Sequence, residues 1–366
     1  MCSNLISDLP KDISFHLCDH FASIAVDRVS NKGANGYLVF GKNKISNQKV
    51  AIKYYYWGEN AGLHFEPKRL AEIQHDNVIR INDAGYVNNS YSYFMTPFFE
   101  RGDLDDLINA GCISLFDAIK LTFEISCGLS QIHASKMVHR DLKPENILVN
   151  DVGKAVIADF GSVKMLPDGM ETVPGSGHSI AYRPPESFEG SYGKQGDVYQ
   201  VGIILYQLLG GRFQYNPEKI LSEKENIKYE TIQSDCEKSL YVDNIVKNKI
   251  IKGALIKLDT LPVWVPENIK RIIKKVTNIN PWNRTRSASE LVSILHAHQL
   301  NVPRWIDNGS EIQVEHKGKC LRVCQDAKGM WFAEKKVPSG WQKNRAIKVD
   351  LKENVIKDIK IKLNII

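Results

Sequence analysis

The densest chemistry in the chain lies in one short stretch. His139-Arg140-Asp141-Leu142-Lys143-Pro144-Glu145-Asn146 is followed, thirteen residues after its last member, by Asp159-Phe160-Gly161. Two carboxylates, an amide and a lysine this close together suit phosphoryl transfer. That reaction needs oxygen ligands for magnesium, a group that orients the hydroxyl nucleophile, and cations that meet the phosphates. A strand–loop–strand segment supplies all of these. Further upstream, Val50-Ala51-Ile52-Lys53 reads as an alternating strand with an outward lysine. Before it, Asn31-Lys32-Gly33-Ala34-Asn35-Gly36-Tyr37-Leu38 forms a glycine-containing turn. Glycine lets backbone approach a phosphate closely and adopt positive φ, and asparagine tolerates that conformation best among the other residues.

In this order the motifs resemble the eukaryotic-type (Hanks-type) serine/threonine protein kinases over roughly residues 24–298. The resemblance implies that Asp141 orients the substrate hydroxyl and that Asn146 and Asp159 hold Mg2+ against the phosphates of ATP. It implies that Lys143 neutralises the transferring group; lysine two positions after Asp141 matches the Ser/Thr class. Lys53 is implied to contact the α- and β-phosphates and to pair with a helix glutamate, either Glu66 or Glu72. Gly33 and Gly36 match the glycine-rich loop, whose first glycine is Asn31 here. Leu38, Ala51, Phe98 and Leu148 are implied to line the nucleotide pocket. Thr96 lines its back, within the hinge Tyr93–Phe99, where Pro97 stands in place of a frequent acidic residue. Asp103 is read as a ribose ligand, a helix cap, or both.

Three further matches carry structural roles in the resemblance: Glu186 with Arg284, and Asp197 as a brace for the catalytic loop. Between Gly161 and Pro184 the activation segment carries Ser162, Thr172, Ser176 and Ser179. Arg140, next to Asp141, suits a phosphate on that segment, with Thr172 or Ser176 as the expected acceptor. Ser179 aligns with the residue that contacts the catalytic aspartate.

The elements that must hold these groups fall into zones. Residues 1–22 read as a leader with a helical turn. Residues 23–97 are strand-rich, with IAVDRVS, GYLVFGK, KVAIKYYYW, AGYVNN and YSYFMT, and with a helix near Pro67–Ile73. Residues 98–298 turn helical. Ser114 caps one amphipathic helix, DVYQVGIILYQLLGG forms a buried one, and PENIKRIIKKVTN is amphipathic. Residues 212–250 read as an insertion. The expected fold is thus α+β: a two-lobed kinase fold, with a β-rich N-lobe, a helical C-lobe and a small C-terminal β module at 299–366.

That last segment is compositionally distinct. Residues 301–366 hold 14 Lys and Arg against 8 Asp and Glu, an excess equal to the whole chain's +6, so the rest is neutral. EIQVEHKGKCLRVCQ, GMWFAEKKV, AIKVDL and IKDIKIKLNII are all expected strands, the last an edge strand guarded by lysines. The module's lysines read first as a solvated outer face, with a polyanion or a protein as the alternative partner type. His316, Cys320 and Cys324 are read as ordinary residues with buried thiols rather than as a zinc site.

With 366 residues, 43% hydrophobic and 25% charged, the chain is neither disordered nor collagen-like. No apolar run reaches the ~18 residues of a membrane span, and no secretory signal is visible. Seven scattered cysteines without a CxxC suit a cytoplasmic protein. The expected function is phosphorylation of Ser/Thr in a protein substrate by Mg-ATP, autophosphorylation included. The alternatives are a nucleotide-binding pseudokinase or scaffold, and a kinase recruited to nucleic acid by its basic tail.

Overall fold

The computed structural model describes residues 5–30, 36–56, 65–111, 113–175, 179–211, 220–299 and 302–365. Helix α1 (Lys11–Asp19) precedes strands β1 (Ile24–Ser30), β2 (Gly36–Asn43) and β3 (Lys49–Tyr56). Helix α2 (Phe65–Ala71) follows, then β4 (Asp83–Tyr86) and β5 (Tyr91–Pro97). The strands form one antiparallel sheet of order β1-β2-β3-β5-β4.

Alternation along the strands gives this sheet two unlike faces. Val39, Val50, Ile52, Tyr54 and Tyr93 are buried on one, packed with Ile13 and Leu17 of α1. The first 22 residues, expected as a leader, therefore supply a nine-residue helix that covers the sheet's back. The other face carries Leu38, Phe40, Ala51, Lys53 and Thr96, all only half-buried. Gly36 is fixed by the sheet itself, since a Cβ there would overlap the Tyr54 carbonyl across β2 and β3.

The helical half begins with α3 (Leu104–Ala110) and α4 (Leu115–Ala134). Short strands follow: β6 (Met137–Val138), β7 (Ile147–Val149), β8 (Ala155–Ile157), β9 (Lys164–Met165), β10 (Thr172–Val173) and β11 (Tyr192–Gly193). Five helices complete it: α5 (Lys194–Leu208), α6 (Glu223–Thr231), α7 (Asp235–Ile251), α8 (Glu267–Val276) and α9 (Ala288–Gln299). Ser114 caps α4 by accepting the Asp117 N–H at 3.0 Å. Helix α5 is buried along nearly its whole length and stops before Gly210, whose φ of 86° places it in the left-handed region glycine favours. The residues read as an insertion hold α6 and α7, of which Val242, Val246 and Ile250 are buried. Positions 212–219 of that stretch lie outside the described residues.

The two halves meet through the buried Asn77, whose side-chain amide donates to the Ala155 carbonyl at 2.8 Å. The Phe98 N–H, donated to the Lys49 carbonyl at 3.1 Å, ties the end of β5 back to β3.

The C-terminal residues form a second antiparallel sheet in simple sequence order. Its strands are β12 (Arg304–Asp307), β13 (Ile312–His316), β14 (Lys319–Gln325), β15 (Trp331–Val337) and β16 (Gly340–Lys343). Two expectations fail here. AIKVDL is no strand; it contributes one bridge, Asp350 to Trp331. IKDIKIKLNII is not an edge strand but most of helix α10 (Lys352–Lys362). Val355, Ile356, Ile359 and Leu363 share a buried face at helical spacing, while Ile361, which an alternating strand would bury with Ile359, is exposed. Among the described residues no helix is long and apolar enough to cross a membrane.

Candidate active site

The loop between β6 and β7 carries His139–Asn146, and its geometry is set by one buried carboxylate. Asp197, at the start of α5, is fully buried. It accepts the backbone N–H of His139 and of Arg140, each at 2.8 Å. It also lies 2.8 Å from His133 Nε2 and 2.9 Å from the Tyr192 hydroxyl. Burial alone would raise its pKa, but the His133 hydrogen bond and charge, His139 and the backbone donors outweigh that and hold it below the usual carboxylate range. These bonds hold Arg140 at φ 72°, a left-handed conformation that costs a non-glycine residue on the order of 1–3 kcal/mol.

Gln200, one turn along α5, accepts the Leu142 N–H at 2.9 Å and so fixes the next peptide of the loop. His139 is buried. Its Nδ1 receives the Asp141 N–H at 3.4 Å and its Nε2 lies 3.2 Å from the Ala158 carbonyl. Both contacts are met by a neutral ring protonated on Nε2. Burial, the largest influence, lowers the His139 pKa against the opposing pull of Asp197 and its neighbours.

On this frame Asp141, Asn146 and Lys143 converge. Asn146 Nδ2 donates to the Asp141 carbonyl at 2.8 Å and to Asp141 Oδ2 at 3.2 Å. Lys143 Nζ lies 3.7 Å from the same Oδ2 and 3.1 Å from Ser179 Oγ. Asp141 Oδ1 is left without a partner among the described residues. Ser179 thus contacts Lys143, which itself flanks the aspartate Ser179 was expected to meet. Asp159 sits in the adjoining loop at φ 57°, its carboxylate accepting the Gly161 N–H at 3.3 Å. The neighbouring Phe160 is fully buried, edge-on to His139 at 5.4 Å between ring centroids.

Magnesium prefers oxygen ligands and keeps places for water and phosphate. With its Nδ2 committed to Asp141, Asn146 has its side-chain carbonyl to offer, and Asp159 has its second carboxylate oxygen. This donor set fits Mg2+ shared with phosphates. Among the described residues no group of three or more His, Cys, Asp or Glu is placed to hold a metal alone.

Of the expected nucleotide residues, Leu38, Ala51, Lys53 and Thr96 lie on the half-open face of the first sheet. Leu38 pairs with Lys53 and Lys53 with Phe94, while Ala51 pairs with Thr96, so register puts all of them on one side. Lys53 Nζ lies 5.5 Å from the Phe94 ring centroid. Phe98 packs at a tilt against Phe40, 4.8 Å between ring centroids, and the Arg28 guanidinium sits 4.2 Å over the Phe40 ring. Leu148, half-buried on β7, bridges the backbone of Asp103. Asp103 itself caps α3, accepting the Asp106 N–H at 2.9 Å in a reciprocal capping box. Gly33 and Asn31 lie outside the described residues. Glu66 falls in the first turn of α2, with its side chain outside them. Glu72 is exposed just beyond the end of that helix.

Away from the loop, Arg284 grips Glu186 through two bonds of 2.6 and 2.8 Å. In the activation segment, Arg140 Nη1 donates to the Pro174 carbonyl at 3.2 Å, while its buried Nε has no partner among the described residues. Thr172 is exposed on β10, Ser162 is buried, and Ser176 lies outside the described residues. Sequence reasoning missed His133, Tyr192 and Gln200 as supports of the loop. Of these only Gln200 left a signal, as a polar residue inside an otherwise apolar helix.

Residues 29–296 match the family described as the protein kinase domain. The chain is 31% identical over 215 residues to the probable serine/threonine-protein kinase PknB of Lactococcus lactis subsp. lactis strain IL1403, covering 58% of this chain and 33% of that protein. It is 26% identical over 294 residues to the serine/threonine-protein kinase PrkC of Bacillus subtilis strain 168, covering 76% of this chain and 41% of that protein. The chain therefore spans well under half the length of either relative.

Proposed function

The chain belongs to the protein kinase domain family, and from that premise we propose that it transfers the γ-phosphoryl group of Mg-ATP to serine or threonine hydroxyls of proteins, itself included. The observation that carries this reading is the Asp141 carboxylate. One oxygen is held by Asn146 and flanked by Lys143; the other is left for an incoming hydroxyl. Asp141 orients that hydroxyl and takes its proton as the bond to phosphorus forms. Lys143 stabilises the charge that builds on the transferring group. Asn146 and Asp159 are the residues that would hold Mg2+, which when bound neutralises the phosphate oxygens. Lys53, with Glu66 as its proposed partner, meets the α- and β-phosphates. Ala51, Leu38 and Leu148 would hold the nucleotide, with Gly36, Thr96, Phe98 and Asp103 as its proposed further contacts and Gly33 assigned by its place in the glycine-rich motif; the Asp103 cap leaves the carboxylate's ribose role to be tested.

The Arg140 Nε, without a partner among the described residues, supports the activation-segment reading. A phosphate on Thr172 or Ser176 would give that guanidinium a charged acceptor and order the segment. We assign residues 23–298 to the kinase domain and 299–366 to a separate module. A reducing compartment, the cytoplasm, is supported by the five described cysteines, all unpaired.

The test is incubation with Mg-ATP followed by phosphosite mapping, beside Asp141→Ala. Phosphoserine or phosphothreonine, lost in the variant, is expected. Nucleotide binding without any transfer, to itself or to a general acceptor protein, would point instead to a scaffold. Phosphate on segment residues other than Thr172 and Ser176 would overturn the phosphosite assignment alone.

A further inference from the structure

The C-terminal module contains a concave site that the kinase reading does not use. A cavity of about 970 Å³ opens at one end of the second sheet, between β14–β16 and the C-terminal end of α10. Lys319, Lys335, Lys336, Lys343, Arg345 and Lys362 line it, and no acidic residue does. None of the six makes an ion pair with a carboxylate among the described residues. Three of the module's eight acids are engaged elsewhere: Glu311 and Glu334 both bind Arg322, and Asp307 meets Lys352.

The one polar side chain buried at the wall is Asn344. Its oxygen accepts from Lys362 Nζ at 3.0 Å and from the Ala346 N–H at 3.3 Å, which leaves its amide hydrogens as the remaining polar group. The wall also carries the Gln342 amide and the Cys320 thiol, and its charged groups are all cations.

We propose that this cavity binds a small ligand presenting contiguous phosphate groups. Six cations exceed what a single phosphate, of about two negative charges, can balance. They also converge on a half-open concavity of small-molecule size rather than running along a stripe. A nucleic-acid strand would need free aromatic faces for its bases. Those of the module are occupied: Trp341 carries Arg322 at 4.6 Å and Lys336 at 5.1 Å, and Phe332 carries Lys343 at 5.1 Å. Lys336 and Lys343 are thus held by rings, while Lys319, Lys335, Arg345 and Lys362, all solvent-exposed, supply the remaining charge around the mouth. The chemistry is shared by an inorganic polyphosphate chain and by the phosphate tail of a nucleotide.

The experiment is calorimetric titration of the full chain with inorganic tripolyphosphate in EDTA, with orthophosphate and GTP as parallel ligands. Tripolyphosphate is expected to saturate one site and to bind about tenfold or more tighter than orthophosphate, weakening steeply as salt rises. The triple variant Lys319→Gln, Lys335→Gln, Arg345→Gln should weaken it by about tenfold or more. Lys357→Gln, outside the cavity, should not, and an unchanged melting temperature will show that the triple variant folds. Lys53→Met should leave binding intact, which separates this cavity from the ATP site and keeps the result independent of catalysis. GTP tighter than tripolyphosphate would assign the nucleotide source, and the reverse the inorganic chain. The proposal is overturned by absence of saturable tripolyphosphate binding, by binding that survives the triple variant, or by a single-stranded oligonucleotide that binds and is not displaced by tripolyphosphate.

Discussion

At the scale of single residues, the three groups around Asp141 divide the labour unequally. Lys143→Ala removes one cation and leaves the aspartate held by Asn146, so kcat should fall by roughly 10²-fold. Asn146→Ala removes both the oxygen offered to magnesium and the amide on Asp141 Oδ2, so it should cost more, and its loss should grow at low magnesium. Steady-state kinetics across magnesium concentrations will compare them; equal losses with no metal dependence would refute the double role. His139 gives a pH signature. Its folded pKa lies below the ordinary value of about 6.5, so the unfolded chain takes up the proton first. Its contribution to stability is complete above pH ~6.5 and drains away as pH falls from there through the lowered folded value. Melting temperature should decline on acidification below pH ~6.5, and His139→Gln should flatten part of that slope, His16 and His316 being lowered by burial in the same direction. An identical slope in the variant would assign the effect elsewhere. The candidate site's group around Asp141 was legible as a cluster because Asp141, Lys143 and Asn146 are neighbours in the chain, fixed by one loop. His133 and Tyr192 were not, because what makes them matter is Asp197, and proximity to it exists only once α4, β11 and α5 have packed.

At the scale of elements, the same contrast explains what periodicity revealed. Strands β1–β3 and β5 were readable because one face had to be apolar and the other not. That asymmetry also suits the site, since α1 seals the back of the sheet and leaves the Leu38–Ala51–Lys53–Thr96 face open. Helix α10 was misread because Lys alternates with Ile over its last residues, a pattern of period two. Burial of Val355, Ile356, Ile359 and Leu363 follows the longer period, and the docking surface offered by β14 and β15 decides between them. Asp103 was open between cap and ligand because both uses need the same carboxylate; the capping box resolves only the structural half. The Glu186–Arg284 pair joins the end of the activation segment to the turn after α8. Arg284 is fully buried at its side chain, so removing its partner leaves an uncompensated charge. Glu186→Ala should cost about 3 kcal/mol, read by denaturant unfolding. A loss below ~1 kcal/mol, the range of exposed pairs, would show the arginine re-solvated.

At the scale of the whole molecule, composition marked the C-terminal residues as a distinct module but could not say whether they hang free. The structure joins them to the helical half. The Trp305 ring is fully buried and stacks on Trp264 at 6.1 Å. Arg304 makes two 3.0 Å bonds to Asp117, in the first turn of α4. Lys360 of α10 donates to the Val263 carbonyl at 3.1 Å. The Arg304 pair is too exposed to contribute much alone; the stacked tryptophans carry the junction, because their burial is apolar and unscreened by salt. The apolar core is correspondingly continuous from α4 and α8 through Trp305 into the second sheet. Such a core should melt as one unit. Calorimetry of the intact protein should show the module and the helical half unfolding in a single transition. Trp264→Ala removes only the kinase side of the stack, and truncation of a buried tryptophan costs roughly 3–5 kcal/mol. It should therefore split off a lower-temperature transition in which the C-terminal sheet is lost first, detectable by hydrogen exchange at β13–β15. Two transitions already in the wild-type protein would mean that the junction does not couple the folds, and that a ligand in the basic cavity has no mechanical route to the kinase half.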